Sequence, residues 1–151
     1  MAYPAGFSLV QDPSDTNMMS LPLTSAAYTR GDCVFLADGA ISWAAVTSTT
    51  RQHTRKAVLQ ENLTDVAQLY GKAILCSPNQ VWVAEMANNT DVANNGDRMA
   101  FTDSNTVNNS DTDVATSLGC FQQLSTSGAA ADLRGIGQFV GLSGYNGAEV
   151  V

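Results

Sequence analysis

The sequence predicts one mainly β domain, either a compact β-barrel or a β-sandwich of short antiparallel strands, preceded by an extended N-terminal arm. The chain has 151 residues, a length that fits one domain. From Tyr28 onward, short runs of β-branched and aromatic residues alternate with turn residues, as they do in all-β folds. We expect an arm over residues 1–25, a β-domain over 26–142 and a flexible tail over 143–151.

The arm is predicted from its prolines and its apolar residues. Pro4, Pro13 and Pro22 are spaced through a segment without Lys or Arg. Because proline fixes φ and lacks a backbone N–H, such a segment tends to be extended. It is too apolar for a solvated linker, so we expect it to bind a groove on a partner. The candidate contact residues are Tyr3, Phe7, Leu9, Val10, Met18, Met19, Leu21 and Leu23. The alternative is a disordered terminus or an edge strand of the same domain.

Two hairpins are predicted in the first part of the β-domain. Residues 33–37 and 40–46 flank Asp38-Gly39, a dipeptide that favours hairpin turns. Residues 72–76 and 80–86 form the second hairpin, joined by a Ser-Pro-Asn turn. The second arm of each hairpin alternates bulky apolar side chains with smaller or polar ones, so one face should be buried.

The remaining elements are less regular. Residues 61–70 carry apolar side chains at helical spacing and are followed by Gly71, which favours a short helix with a glycine cap. The competing prediction is a turn that leads into a strand. Residues 118–124 and 135–142 are predicted to be the last two strands.

Residues 88–113 are rich in Asn, Asp, Ser and Thr on both sides of the apolar run Met99–Phe101. Asn95-Gly96, just before that run, favours a tight type I′ turn. We therefore predict one strand between two polar loops. Its Asn and Asp residues are expected to make turns and to be solvated.

Composition argues against nucleic acid as a partner. Fourteen acidic residues and seven basic ones give a net charge of −7, so the chain should repel phosphate backbones. Arg51, Arg55 and Lys56, with Lys72 further along, could form a small basic patch, which would equally suit an acidic protein surface. No apolar run approaches the length of a membrane span, so no membrane partner is expected.

Cys33, Cys76 and Cys120 are widely spaced and have apolar neighbours. No Cys-x-x-Cys pair occurs, so neither a zinc site nor a redox motif is indicated. We expect buried free thiols. The N-terminus lacks the basic and apolar regions of a signal peptide, so we expect a soluble protein made in a reducing cytoplasm.

No catalytic residue, metal site or cofactor is predicted. His53 is the one histidine, and no serine lies in a nucleophile elbow. Asp111-Thr112-Asp113 begins like a calcium loop but lacks the glycine and glutamate that complete one. Glu85 is the one carboxylate between apolar neighbours on a predicted strand, and a single such residue usually faces solvent.

Several segments carry a resemblance to a known family. A Gly-Asp turn followed by an apolar strand occurs in residues 30–41 and again in 96–107, and residues 119–140 end in Gly-x-Gly-x-Phe-Val. With the apolar arm and the acidic β-domain, these segments resemble the capsid decoration, or cement, proteins of tailed bacteriophages.

The resemblance implies a non-enzymatic protein without cofactors, with a compact β fold. Such a protein binds the outside of an assembled phage head, ties neighbouring capsomers together and resists the pressure of packaged DNA. Its partners would be the major capsid protein and neighbouring copies of itself, as a homo-oligomer on the shell. Its location would be the outer capsid surface of the virion, after synthesis in the host cytoplasm.

A carbohydrate- or receptor-binding module of a phage fibre or tail is the alternative function. Such a module needs exposed aromatic rings beside Asn and Asp side chains. The candidate contact residues are Trp43, Trp82 and Tyr145.

Overall fold

The computed structural model describes residues 6–11, 18–64, 70–78, 80–110, 116–126 and 133–141. These residues are mainly β, which confirms the predicted fold class. The strands are β1 Ser8–Gln11, β2 Met18–Pro22, β3 Cys33–Leu36, β4 Ala44–Ala45, β5 Arg55–Leu59, β6 Tyr70–Leu75, β7 Val81–Met86, β8 Arg98–Met99, β9 Phe101–Asp103, β10 Thr106–Val107, β11 Phe121–Thr126 and β12 Arg134–Phe139. Two 3-10 helices, Val92–Asn94 and Thr116–Leu118, are the helices of the described chain, and neither is long enough to cross a membrane.

The strands form two sheets in a sandwich-like arrangement. The first sheet has the order β8-β11-β12-β7-β10-β9, with β1 also paired to β7. The second sheet has the order β2-β6-β5-β3-β4. Strand β10 is parallel to β7, and the other pairings between described strands are antiparallel. Of the two predicted architectures, the sandwich fits the structure and a closed barrel does not.

Two apolar cores follow from the alternation of side chains across the second sheet. Cys33, Val58 and Ile74 point into the first core, which they share with the aromatic residues of the first sheet. Their neighbours Val34 and Ala57 point into the second core, on the opposite face. Because successive side chains of a strand alternate between faces, the central strands β3 and β5 contribute buried side chains on both sides of the sheet.

The described residues of the predicted arm contribute to both sheets. Strand β1 pairs with β7 in the first sheet, and β2 pairs with β6 in the second. Part of the second core also comes from this segment, through Leu21 and Leu23. The predicted boundary at residue 25 is therefore not a structural boundary, and the edge-strand alternative describes β2. Residues 143–151, the predicted tail, lie outside the described residues.

One predicted hairpin is present and the other is not. Strands β3 and β4 pair as predicted, and Ala40 N donates to Ala37 O across the Asp38-Gly39 turn (3.0 Å). Pairing resumes only at Ala44, so the second arm is shorter than predicted. Strands β6 and β7, the predicted second hairpin, lie in different sheets. Both strands are largely buried. The alternation of side chains along each strand predicts a buried face, but it does not predict which strand will be the hydrogen-bonded neighbour.

Two local predictions are also corrected. Leu63 forms a bridge with Tyr28, and Tyr70 begins β6, so no helix spans residues 61–70. Residues 65–69 lie outside the described residues. Asn95 has φ −60° and ψ 130°, and Gly96 has φ 92°. These angles, with Asp97 N donating to Asn94 O (3.0 Å), define a type II turn and not type I′.

Candidate functional site

The candidate site is the beginning of β2, the outer strand of the second sheet. Met18 is 54% exposed and Met19 is 48% exposed. They pair with Ile74 and Ala73 on β6, and no described strand pairs with their other side. An exposed edge strand with apolar side chains is a ready template for association with another chain.

Charge is absent along this edge. From Thr16 to Thr29 the sequence has no Asp, Glu, Lys or Arg, although the whole chain has a net charge of −7. Natural edge strands are commonly protected by charged side chains, especially lysine. The beginning of β2 carries no such charge, so a partner can approach it without charge repulsion from the strand itself.

Val10 and Tyr70 are further exposed side chains on strands of the same sheets, as is Leu124 on β11, which is 45% exposed. Val10 on β1 is 46% exposed. Tyr70 is 60% exposed and lies opposite Pro22 in the β2–β6 pairing. Sequence reasoning missed Tyr70 because it assigned this residue to a helix, where helical spacing suggested a buried side chain.

The remaining candidate contact residues of the arm have a different role. Phe7, Leu21 and Leu23 are buried in the two cores, and Leu9 packs against the first core while half-buried. The three buried side chains stabilise the domain itself and are not available to a partner. Tyr3 lies outside the described residues. The predicted contact residues that are exposed within the described chain are Val10, Met18 and Met19, and Leu9 is partly accessible.

The residues proposed for glycan contact are corrected as well. Trp43 is 6% exposed and Trp82 is fully buried. Trp82 packs edge-on against Phe139, with ring centroids 5.8 Å apart. Neither indole is a surface platform for a sugar, and Tyr145 lies outside the described residues.

Lys56 is inside the protein and does not contribute to a basic patch. Its Nζ donates to the backbone oxygens of Arg51 (2.9 Å), Gln52 (3.1 Å) and Thr54 (2.9 Å). Burial lowers the pKa of Lys56 from its usual value of 10.5. The ammonium group therefore fixes the loop that precedes β5, while Arg51 and Arg55 are exposed.

The three cysteines are free, as predicted. Cys33 and Cys120 are buried and Cys76 is half-buried. Burial raises the pKa of Cys120 to about 11, and burial also raises the pKa of Cys33 and of Cys76 above the ordinary thiol value. Since the thiolate is the reactive form, these thiols are poor nucleophiles at neutral pH.

Several of the described acidic residues make structural contacts. Asp91 Oδ1 accepts from Ala93 N (2.9 Å) and Asp103 Oδ1 accepts from Asn105 N (3.0 Å). Glu85 forms an ion pair with Arg134, in which Glu85 Oε2 lies 3.8 Å from Arg134 Nη1. No group of three metal-ligating side chains occurs within the described ranges. Asp111 and Asp113 lie outside them.

One open cleft contains ionisable side chains. It has a volume of about 370 Å³ and lies between the turn at Asp38 and the segment that contains His53 and Arg55. Apolar lining comes from Leu36 and Ala37. The cleft brings one carboxylate, one imidazole and one guanidinium to a shared surface, without a serine or cysteine nucleophile in its lining.

No protein-family model, curated protein or solved structure matches this chain.

Proposed function

We propose that this protein is a non-enzymatic capsid decoration protein, which binds the outside of an assembled bacteriophage head and stabilises contacts between capsomers. Its partners are the major capsid protein and neighbouring copies of itself on the virion surface. The observation that carries the proposal is the exposed, uncharged and apolar beginning of β2. The sequence resemblance over residues 30–41, 96–107 and 119–140 gives additional support.

The physical argument concerns weak contacts that are repeated many times. A protein that coats a shell must fold by itself and stay soluble before it meets the repeated site. Two exposed methionines bury little apolar surface, so each copy binds weakly. Methionine also adapts to irregular surfaces because its side chain is unbranched and flexible. When docked copies contact one another, their linked contacts increase the overall avidity.

The experiment is co-sedimentation of the purified protein with expanded phage heads that lack it. We expect saturable binding, and the decorated heads should survive heating to a higher temperature than bare heads. A Met18→Ser/Met19→Ser double variant should bind at least about tenfold more weakly, since it removes two apolar side chains worth roughly 1 kcal/mol each from the interface.

The matched control is Ile41→Ser, since Ile41 is 89% exposed and lies on the β3–β4 connection. This variant should bind heads as the wild type does. If the wild type does not sediment with heads, capsid decoration is wrong. If the wild type binds and the methionine variant binds equally well, the protein decorates capsids but β2 is not the contact.

A further inference from the structure

Asn95 and Gly96 form a dipeptide that is chemically labile in a flexible chain. The backbone nitrogen after an asparagine can attack the side-chain amide carbon, and a following glycine offers no side chain to obstruct the attack. Both residues are exposed, and a Cβ placed on Gly96 would meet nothing within 4 Å. Sequence and exposure alone therefore predict a site of spontaneous deamidation.

In this turn the backbone nitrogen of Gly96, which would make the attack, is directed toward a different acceptor. Gly96 N donates a hydrogen bond to Gln123 O on β11 (2.7 Å). The carbonyl oxygen of Gly96 accepts from Gln122 Nε2 (2.8 Å). Asn95 N also donates to Val92 O (3.1 Å). The three successive peptide groups around the dipeptide are therefore each held by a hydrogen bond.

The side chain that would be attacked is held by the same strand. Gln123 Nε2 donates to Asn95 Oδ1 and to Asp91 O, both at 2.9 Å. The Gln123 side chain is fully buried, so its position is fixed by packing. Gln123 thus holds both reacting groups. Its backbone oxygen accepts from Gly96 N, and its side-chain amide donates to the side-chain oxygen of Asn95.

We propose that Asn95 is a latent deamidation site and that Gln123 keeps it unreactive. In the reaction, Gly96 N loses its proton to solvent and forms a bond to Asn95 Cγ. The Cγ–Nδ2 bond breaks, Nδ2 takes a proton from solvent and leaves as ammonia, and a five-membered succinimide remains. Water then opens the ring to aspartate or isoaspartate, so no oxidant or reductant is needed.

The structure opposes this step in two ways. The chain must rotate about the Cα–C bond of Asn95, away from ψ 130°, before Gly96 N can reach Cγ. That rotation breaks the bond from Gly96 N to Gln123 O, and the Asn95 amide must also leave Gln123 Nε2. Because each lost hydrogen bond raises the barrier, the two together should slow the reaction roughly tenfold or more.

The first test compares folded and urea-unfolded wild-type protein at mildly alkaline pH, with deamidation followed by peptide mapping and mass spectrometry. Asn95 should react roughly tenfold or more slowly in the folded sample. Asn146, which also precedes a glycine, checks that the unfolded sample is reactive. Equal rates for Asn95 in the two samples would overturn the proposal.

The second test uses variants of the clamp. Gln123→Met keeps the length of the side chain but removes both amide donors, so folded Asn95 should deamidate several-fold faster than in the wild type. Gln122→Ala removes the bond to Gly96 O from a half-buried position and should cause a smaller acceleration. Gln60→Met is the matched control, because Gln60 Nε2 donates to Val58 O (3.1 Å) in the other sheet.

Circular dichroism and urea titration establish that each variant is folded. If folded Gln123→Met retains the wild-type rate at Asn95, the clamp is disproved. If Gln123→Met does not fold, the comparison of folded and unfolded wild-type protein decides the proposal. These measurements need no capsid, so their outcome is independent of the proposed function.

Discussion

The ring of Phe7 lies 5.1 Å from the ring of Phe139, measured between centroids, with the two planes at 45°. Phe7 also meets Phe101 edge-on at 6.0 Å and Phe121 at 5.8 Å. Just before Phe7, Gly6 packs so closely that a Cβ there would lie 2.5 Å from Gly31 O. The N-terminal segment is thus part of the main core.

Phe7→Ala should therefore lower the free energy of unfolding by about 3–5 kcal/mol, as expected for loss of a buried phenylalanine. Urea denaturation measures the change. Ile41→Ala, at an exposed position, should change stability by no more than about 0.5 kcal/mol. A Phe7→Ala protein as stable as the Ile41→Ala protein would show that the aromatic cluster does not depend on Phe7. For the same reason, deletion of residues 1–25 should unfold the domain and cannot test docking.

Lys56→Met should destabilise the protein, although it removes the cost of burying a charge. Three backbone oxygens lose the ammonium donor, and hydrogen bonds to charged groups contribute about 1.5–3 kcal/mol each. After the relief of desolvation is subtracted, we expect a loss of roughly 2–4 kcal/mol. Hydrogen exchange should show faster exchange in residues 50–54.

Lys72→Met is the matched control for this prediction. Lys72 is exposed on β6, so its replacement should change the free energy of unfolding by no more than about 0.5 kcal/mol. Equal stability of the two methionine variants would contradict the structural role of Lys56.

The buried thiols predict that stability falls at alkaline pH. A raised pKa means that above pH 9, the ordinary thiol value, the unfolded state has lost protons that the folded state retains. Stability then decreases with rising pH. For Cys120 this window extends to about 11, with a slope of roughly 1 kcal/mol per pH unit. Cys120→Ala should make the decline shallower in urea titrations between these pH values.

Lys56 has the opposite sign in the same titration. Its pKa is lowered in the folded state by burial, so between that lowered value and 10.5 the unfolded state binds the additional proton and stability rises with pH. Lys56→Met should therefore steepen the net decline above pH 9. A slope unchanged in both variants would mean that neither group titrates differently on folding.

Gly137→Ala and Gly39→Ala should differ strongly in their cost. A Cβ on Gly137 would collide with Gln122 O and would lie 2.8 Å from the ring of Phe121, so the pairing of β11 with β12 must shift. Gly39 has open space but φ 79°, which costs about 1–2 kcal/mol for a residue with a Cβ. Thermal unfolding should show a much lower midpoint for Gly137→Ala, and similar midpoints would contradict the packing at β12.

Some properties were readable from local sequence patterns. Alternation of side chains marked β7 as a strand, and short β-type runs between turn residues marked β11 and β12. Asp38-Gly39 marked the turn between β3 and β4, because a glycine accepts positive φ at no steric cost. The apolar neighbours of the cysteines indicated burial. These features depend largely on residues close in the chain, so local patterns were sufficient to predict them.

The candidate site was only partly predictable. Met18 and Met19 belonged to the predicted contact set, but so did Phe7, Leu21 and Leu23, which the fold buries. Composition could not separate the two groups, because an apolar side chain suits a core and a docking surface equally well. Gln123 is one of several polar residues in β11, and its contact with Asn95 requires residues 28 positions apart to meet.

Tertiary structure decided which partner each strand has and which side chains remain outside. A period of two residues shows that a strand has a buried face, but it does not name the neighbouring strand. Consecutive strands β6 and β7 therefore entered different sheets, and the segment before residue 25 was divided between both. Lys56 became an interior residue for the same reason, since its burial depends on packing that the polar segment around it does not indicate.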